Sequence, residues 1–246
     1  FNSSELKWVQ DFLVKNSEFI EFKGLCTHFA GAESIANYFR IKKQIDRYDE
    51  IYKQFCAKGL KPQLKHAACS AAAMMYPETQ MDMVRIGIMQ YGFWPSPEVL
   101  VNFYNSKRKN ENPLRRVISW KSSVMSVKKV KRGEFVGYGT SFMADANMKI
   151  ACVPVGYAHG YGRSLSNIGR VLINGERCVV IGSINMNMMV IDVTLLDEIK
   201  RNDEVVLIGD QADKQLSVSS FSDYSNLLNY ELLTRLSADI PRVIKE

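Results

Sequence analysis

At 246 residues, with 46% hydrophobic residues and a net charge of +6, the chain can bury one large core or two modest ones. No apolar run approaches the roughly 18 residues of a membrane-spanning helix, and the N-terminus has no signal-peptide pattern, so no membrane partner is expected. The densest basic group, Lys107, Arg108 and Lys109, with Lys128, Lys129, Lys131 and Arg132 further on, has no interleaved aromatic residues; it reads as solvated loops, and no nucleic-acid partner is expected.

The first part of the chain alternates helix and strand. Ser3–Lys15 is predicted as a serine-capped helix with Leu6, Val9, Phe12 and Leu13 at helical spacing. Gly24–Phe29 is short and apolar, like a buried parallel strand. Glu33–Ala57 is predicted as a long amphipathic helix, with Ile35, Tyr38, Phe39, Ile41, Ile45 and Tyr48 on one broad face and Gly59 closing it. Pro62–His66 reads as a strand, Ser70–Met75 as a short alanine-rich helix and Met83–Ile86 as a weak third strand. This alternation implies a parallel sheet with helical crossovers. Three strands would leave a bare edge.

Asn105–Pro113 is polar and aperiodic, and reads as a linker between domains 1–113 and 114–246. After it the period changes to that of strands: Val117–Val130, Ile150–Val155, Arg170–Ile173, Arg177–Ile181, Met188–Val193 and Glu204–Ile208, with a hairpin turn at Asn174–Gly175. Two short helices are predicted at Ser220–Leu228 and Tyr230–Leu236, before Pro241.

Several residues are candidates for chemistry. A free tyrosine, with a pKa of about 10, is a poor base at neutral pH. Between Gly156 and Gly160, Tyr157 sits on a backbone tight enough to be presented at a loop tip, although a packed turn would look the same. Arg85 reads by itself as a charge at a strand end. Ser70 opens a short helix, where N–H groups favour an anion, and Gly87 and Ile88 fit a phosphate cradle; a plain N-cap is the alternative for Ser70. His28 could be a satisfied core histidine, and the Met residues around Met186 read as core filler. Five scattered cysteines form no CxxC pair, so no metal and no disulfide framework is expected, and a reducing cytoplasm is the simplest home.

Four blocks carry a resemblance: THFAGAES (Thr27–Ser34), HAACSAAAMMYP (His66–Pro77), MDMVRIGIMQYG (Met81–Gly92) and VPVGYAHGYGR (Val153–Arg163). In this order, and with NYELLTRLSADIPR near the end, they resemble the distal part of bacterial alanine racemases, which use pyridoxal 5'-phosphate (PLP). The resemblance runs from about Gly24 to Arg242. It implies the distal part of a (β/α)8 TIM-like barrel followed by a C-terminal β-rich domain. It also implies interconversion of L- and D-alanine in the cytoplasm, supplying D-alanine for peptidoglycan, by a homodimer with shared active sites.

By this resemblance, Tyr157 is the base on one face of the substrate α-carbon and serves the partner subunit's site. Arg85 contacts the cofactor's pyridine nitrogen, and Ser70, Gly87 and Ile88 hold its phosphate. His28 lies beside the cofactor ring and links Arg85 to the tyrosine, and the Met186 backbone N–H holds the substrate carboxylate. The family's cofactor-anchoring lysine lies in a VKANAYG-like segment that does not occur here, so the chain alone is expected to be inactive. Three departures stand out: His159 replaces the aspartate of GYADGY, Asn187 replaces an acid, and Ala238 stands where some members carry a phosphate-binding tyrosine. The alternatives are a related PLP racemase for another small amino acid such as serine, and a non-catalytic PLP-binding fold-mate.

Overall fold

The computed structural model describes residues 1–107, 111–218 and 229–244. It divides into two compact units, Phe1–Val117 and Ile118–Glu246.

The first unit alternates helices with short parallel strands. Helix α1 (Leu6–Lys15) is preceded by a 3-10 turn, Ser3–Glu5. Its start is organised by Asn2, not by a serine: the Asn2 N–H donates to Glu5 Oε2 at 2.6 Å, which satisfies a donor at the head of the helix. Strand β1 (Gly24–Cys26) pairs in parallel with β2 (Leu64–His66), and α2 (Tyr38–Ala57) makes the crossover. Gly59, at φ +77°, ends α2 by donating to the Cys56 carbonyl. Helix α3 (Ser70–Met75) and helix α4 (Pro97–Lys107) follow.

The buried stripe of α2 is Ile41, Ile45, Tyr48 and Phe55, a helical spacing narrower than the predicted face. Ile35, Tyr38 and Phe39 are exposed. Ile41, Ile45 and Tyr48 pack with Phe29 and with the alanines of 67–73, whose small side chains let α3 approach closely, while Phe55 packs against Phe22.

Two expectations fail in this unit. Met83–Ile86 forms no strand; only a single parallel bridge joins Cys69 and Arg85. The Asp82 carboxylate accepts the Lys65 N–H at 2.7 Å, so a side chain takes the place of a strand neighbour beside β2. Asn105–Lys107, expected in a linker, belong instead to α4, which continues to Lys107 with Pro97 at its first position. Residues 108–110 lie outside the described residues, and with them Arg108 and Lys109.

The second unit is an antiparallel sheet. Its strands are β3 (Trp120–Ser123), β4 (Ser126–Val130), β7 (Met148–Val153), β8 (Arg170–Ile173), β9 (Glu176–Ile181), β10 (Met189–Asp192), β11 (Glu204–Gln211) and β12 (Lys214–Leu216). A separate two-residue hairpin pairs β5 (Phe135–Val136) with β6 (Phe142–Met143). The order in the large sheet is β12-β11-β8-β9-β10-β7-β4, with β3 on β11. The β8–β9 hairpin turns at Asn174 and Gly175, with φ +52° and +77°, the left-handed pair that the Asn-Gly dipeptide predicts.

The single strand predicted over Val117–Val130 is broken in two. The Val124 N–H donates to the Asp203 carbonyl and the next N–H, of Met125, to the Cys152 carbonyl. The chain therefore changes partner here, from β11 to β7, which no sequence period encodes. Val171, Leu172, Ile173, Val180, Ile191 and Val205–Ile208 are wholly buried. Helix α5 (Asn229–Arg235) follows, and the helix predicted at Ser220–Leu228 lies outside the described residues.

Candidate functional site

The candidate residues fall into two groups, one in each unit. In the first unit the centre is Arg85. An arginine carries five N–H donors and no acceptor. Four of them, on the two terminal nitrogens, are taken. Nη1 meets His66 Nδ1 at 2.6 Å and the His66 carbonyl at 3.1 Å. Nη2 donates to the carbonyls of Thr27 at 2.7 Å and Ala67 at 3.2 Å. Only Nε–H is left without a partner among the described residues. The β1 and β2 ends, through Thr27 and His66, thus fix the guanidinium plane and leave one aimed donor.

Because arginine only donates, His66 Nδ1 accepts, and the ring proton sits on Nε2. Burial first, and then the Arg85 charge, lower the His66 pKa below the ordinary imidazole value. The neutral ring is the form that fits this arrangement.

Beside Arg85 the Cys69–Arg85 bridge brings the next residues of both segments together. Ser70 is buried, and its Oγ accepts the Gly87 N–H at 2.9 Å. A Cβ on Gly87 would meet nothing within 4 Å, so open space lies over this backbone. Ile88 begins a 3-10 turn, Ile88–Tyr91, and its N–H lies ahead of the first intra-helical bond. The Ile88 N–H and the Ser70 hydroxyl are the donors available to an anion here, and the Gly87 N–H joins them only if Ser70 Oγ turns away from it. Helix α3 has six residues, so its dipole adds little.

His28 is exposed, and its ring is not among the partners of Arg85. The Thr27 carbonyl and His66 occupy those positions. His66 was missed as a site residue, although it opens the HAACSAA block; its place at the end of a predicted strand was the available signal.

In the second unit, Tyr157–His159 form a 3-10 turn laid against Ile184–Asn187. The N–H groups of Tyr157 and Ala158 donate to the carbonyls of Asn185 and Met186 at 3.1 and 3.0 Å. Contact is so close that a Cβ on Gly156 would lie 2.1 Å from the Asn185 oxygen and 2.4 Å from the Met186 oxygen. Glycine is therefore obligatory at 156. The structure thus brings Tyr157 and Met186 together. Tyr157 is 45% exposed, with no hydrogen bond to its hydroxyl among the described residues. Met186 is 54% exposed and so is not core filler; Met189, three residues on, is the buried one. The Met186 N–H has no partner among the described residues.

Two further details explain this turn. His159 Nδ1 accepts the Gly156 N–H at 3.1 Å, the bond an aspartate oxygen can make at the third position of a helical turn. The His159 departure is thus a substitution of acceptor. Tyr161, only four residues beyond Tyr157, is wholly buried, donates to the Arg170 carbonyl at 3.3 Å, and has its pKa pushed up by burial. The two tyrosines of one short motif divide into an exposed ring and a structural one. Ala238 is exposed and brings no polar side chain to either group.

No helix among the described residues is long and apolar enough to cross a membrane, and these residues hold no cluster of three or more metal-ligating side chains.

The family model for the alanine racemase N-terminal domain matches residues 1–95, and that for the C-terminal domain matches residues 117–244. An alanine racemase of Carboxydothermus hydrogenoformans is 37% identical over 240 residues, covering 97% of this chain and 62% of the relative. One of Leptospira interrogans is 35% identical over 227 residues, covering 92% and 58%. Among solved structures, the alanine racemase of Streptomyces coelicolor aligns with a TM-score of 0.88 at 29% identity, over 99% of this chain and 62% of that one. The Bacillus anthracis alanine racemase with bound L-Ala-P gives 0.81 at 29% identity, over 96% and 58%. The chain thus spans about three fifths of the length of these relatives. Two successive domain models, similar sequences and similar folds agree: the chain belongs to the alanine racemase family.

Proposed function

We propose that this chain carries the cofactor seat and one proton-transfer group of a PLP-dependent enzyme that interconverts L- and D-alanine. Arg85 carries this reading. Four fixed N–H bonds leave Nε–H as the single donor, next to a buried serine, the Ile88 N–H and a Gly87 N–H that the serine hydroxyl now holds. That donor set fits a pyridine nitrogen at one end and a phosphate at the other.

PLP, when bound, supplies the electron sink that acidifies the substrate Cα–H. Ser70 Oγ and the Gly87 and Ile88 N–H groups hold the phosphate. Ser70 must turn its hydroxyl outward, releasing the Gly87 N–H for the same oxygen. Arg85 does not give up a proton readily. Its Nε–H therefore donates to the ring nitrogen without protonating it. That moderates electron withdrawal and favours return of the proton to Cα over transamination. Tyr157 takes and returns the proton on one face of Cα, in the site of a partner subunit, and the Met186 N–H holds the substrate carboxylate. His28 borders the ring from the loop after β1.

The opposite-face base in this reading is a lysine that also anchors the cofactor, and none of the lysines of these 246 residues stands in a matching context. The chain by itself then binds PLP without covalent attachment and does not racemise alanine. The assembled enzyme is a two-fold dimer in the cytoplasm, supplying D-alanine to cell-wall synthesis.

The test is titration of the 246-residue chain with PLP, followed by absorbance and by quenching of protein fluorescence. Saturable binding, weakened about tenfold in Ser70→Ala and lost in Arg85→Glu, with alanine racemisation undetectable, is the expected outcome. Binding that ignores both substitutions would refute the seat.

A further inference from the structure

On the reading of Tyr157 as a proton-transfer group, we infer that His159 is its positioning residue. The bare Nδ1 of His159 holds the turn that aims the tyrosine, and proton transfer by Tyr157 falls when the imidazole takes up a proton. His159 is a position at which this chain departs from its family's pattern.

The Tyr157–His159 turn begins at Gly156, which is buried. His159 meets both polar groups of Gly156. The Gly156 N–H donates to His159 Nδ1 at 3.1 Å, and the Gly156 carbonyl accepts the His159 N–H at 3.0 Å. A glycine has no side chain with which to cap the turn in return, so the imidazole supplies the side-chain bond at its head. The Tyr157 hydroxyl has no hydrogen bond among the described residues. The direction of its ring is therefore set by the backbone turn and not by a partner at its tip. Loss of the Nδ1 bond leaves the N–H of a buried residue without its acceptor and loosens the residue that precedes Tyr157.

The bond carries a condition that an aspartate would not impose. Nδ1 accepts only while it bears no proton, which puts the ring proton on Nε2; an imidazolium donates from both nitrogens and would set two N–H groups head to head. A carboxylate in this place stays an acceptor down to about pH 4, whereas a histidine ordinarily changes charge between about pH 5 and 8. The described groups on the elements packed against the turn do not share that range. Ile184–Asn187 carries no titratable side chain. Helix α5, whose Arg235 carbonyl lies 2.8 Å from where a Cβ on Gly160 would stand, brings Arg235 and its ion-pair partner Glu231. Arg242 donates to the Ser237 carbonyl just beyond that helix, and Arg163 opens the next 3-10 turn. Arginines keep their charge throughout, and carboxylates titrate lower.

The experiment uses an active preparation containing this chain, as wild type, His159→Asn, His159→Asp and His159→Leu. Asparagine Oδ1 stands as many bonds from Cα as histidine Nδ1 and accepts without titrating; leucine removes the acceptor. At pH 8, His159→Asn and His159→Asp should keep kcat within about threefold of wild type. His159→Leu should lower kcat by about tenfold or more, with KM for alanine and bound PLP changed less than about threefold. From pH 8 to pH 5 the ratio of wild-type kcat to that of His159→Asn should fall by about fivefold or more; the ratio cancels every other group that titrates, the cofactor included. Protection of the Gly156 amide, measured against its intrinsic exchange rate, should fall with it in wild type and stay level in His159→Asn. A level ratio, loss of activity in both acceptor variants at pH 8, or wild-type kcat in His159→Leu while Tyr157→Phe is impaired overturns the inference. Gly156 protection that follows His159, with kcat unaltered in both His159→Leu and Tyr157→Phe, leaves the hold on the turn standing and refutes the reading of Tyr157.

Discussion

The two units differ in how they satisfy their strands. In the second, the eight strands of the large sheet all pair antiparallel within the unit, some of them, as β3 with β11, far apart in sequence, and wholly buried Val171–Ile173 and Val205–Ile208 close a core. In the first, two three-residue parallel strands share one ladder. The core there leans on alanines, and large aromatic side chains face outward. This antiparallel sheet is completed by strands of its own unit. A parallel barrel is completed only around its whole circumference, so a part of one keeps an open edge. The proposed groups follow the same division: Arg85, Ser70, Gly87 and Ile88 lie on the open unit and the exposed Tyr157 on the closed one.

The largest expected effect is at the tightest contact of the closed unit. Gly156→Ala places a methyl group 2.1 Å from the Asn185 oxygen and must push the Tyr157 turn away from Met186. In the active enzyme this should lower kcat by about 10²-fold or more, since small displacements of a reacting group cost that much. Turnover within threefold of wild type would show that the turn does not position the tyrosine.

Core truncation should separate the units next. Ile173→Ala, at a wholly buried position, should cost about 2–5 kcal/mol in urea unfolding. Trp8→Glu, at a position 60% exposed, should stay within about 0.5 kcal/mol in the chain alone. Equal losses at both sites would mean that Trp8 is packed in solution.

A smaller effect should appear with pH. The His66 pKa is lowered in the fold, so the unfolded chain, with an ordinary value of about 6.5, binds the proton more readily. Stability from this group is complete above about 6.5 and is lost as pH falls below it. The protection of the β1 and β2 amides, measured against their intrinsic exchange rates, should therefore fall from pH 7 to pH 5, and His66→Asn should flatten that slope. A slope that survives the substitution would remove His66 as its source.

The parts of this molecule readable in advance were those with local physical causes. Asn174–Gly175 needs left-handed backbone and is a hairpin turn; Ser70–Met75 is the predicted helix to the residue. The open edge followed from counting strands. What stayed hidden depends on distant partners. The break at Val124–Met125 is a change of neighbouring strand. Met83–Ile86 is no strand because the Asp82 side chain takes the Lys65 N–H. In the site, Arg85, Ser70 and Gly87 were named from motif and resemblance. The grip of His66 on Arg85 joins residues 19 apart through side chains, and no spacing announces it. His159 looked like a departure from the family pattern and is instead an acceptor for the Gly156 N–H.

The proposal that Tyr157 is the proton-transfer group on one face of the substrate α-carbon is tested most directly by α-deuterium exchange in an active preparation containing this chain. Exchange is followed separately from L- and D-alanine, in wild type and Tyr157→Phe, with PLP absorbance as the measure of bound cofactor. The substitution keeps the ring and removes only the acid–base oxygen. Exchange from L-alanine should fall by at least about 10²-fold. Exchange from D-alanine, which uses the base on the other face, should persist within a few-fold, and net racemisation should fall in both directions. Equal loss from both enantiomers with cofactor fully bound, or undiminished exchange from L-alanine, would contradict the assignment.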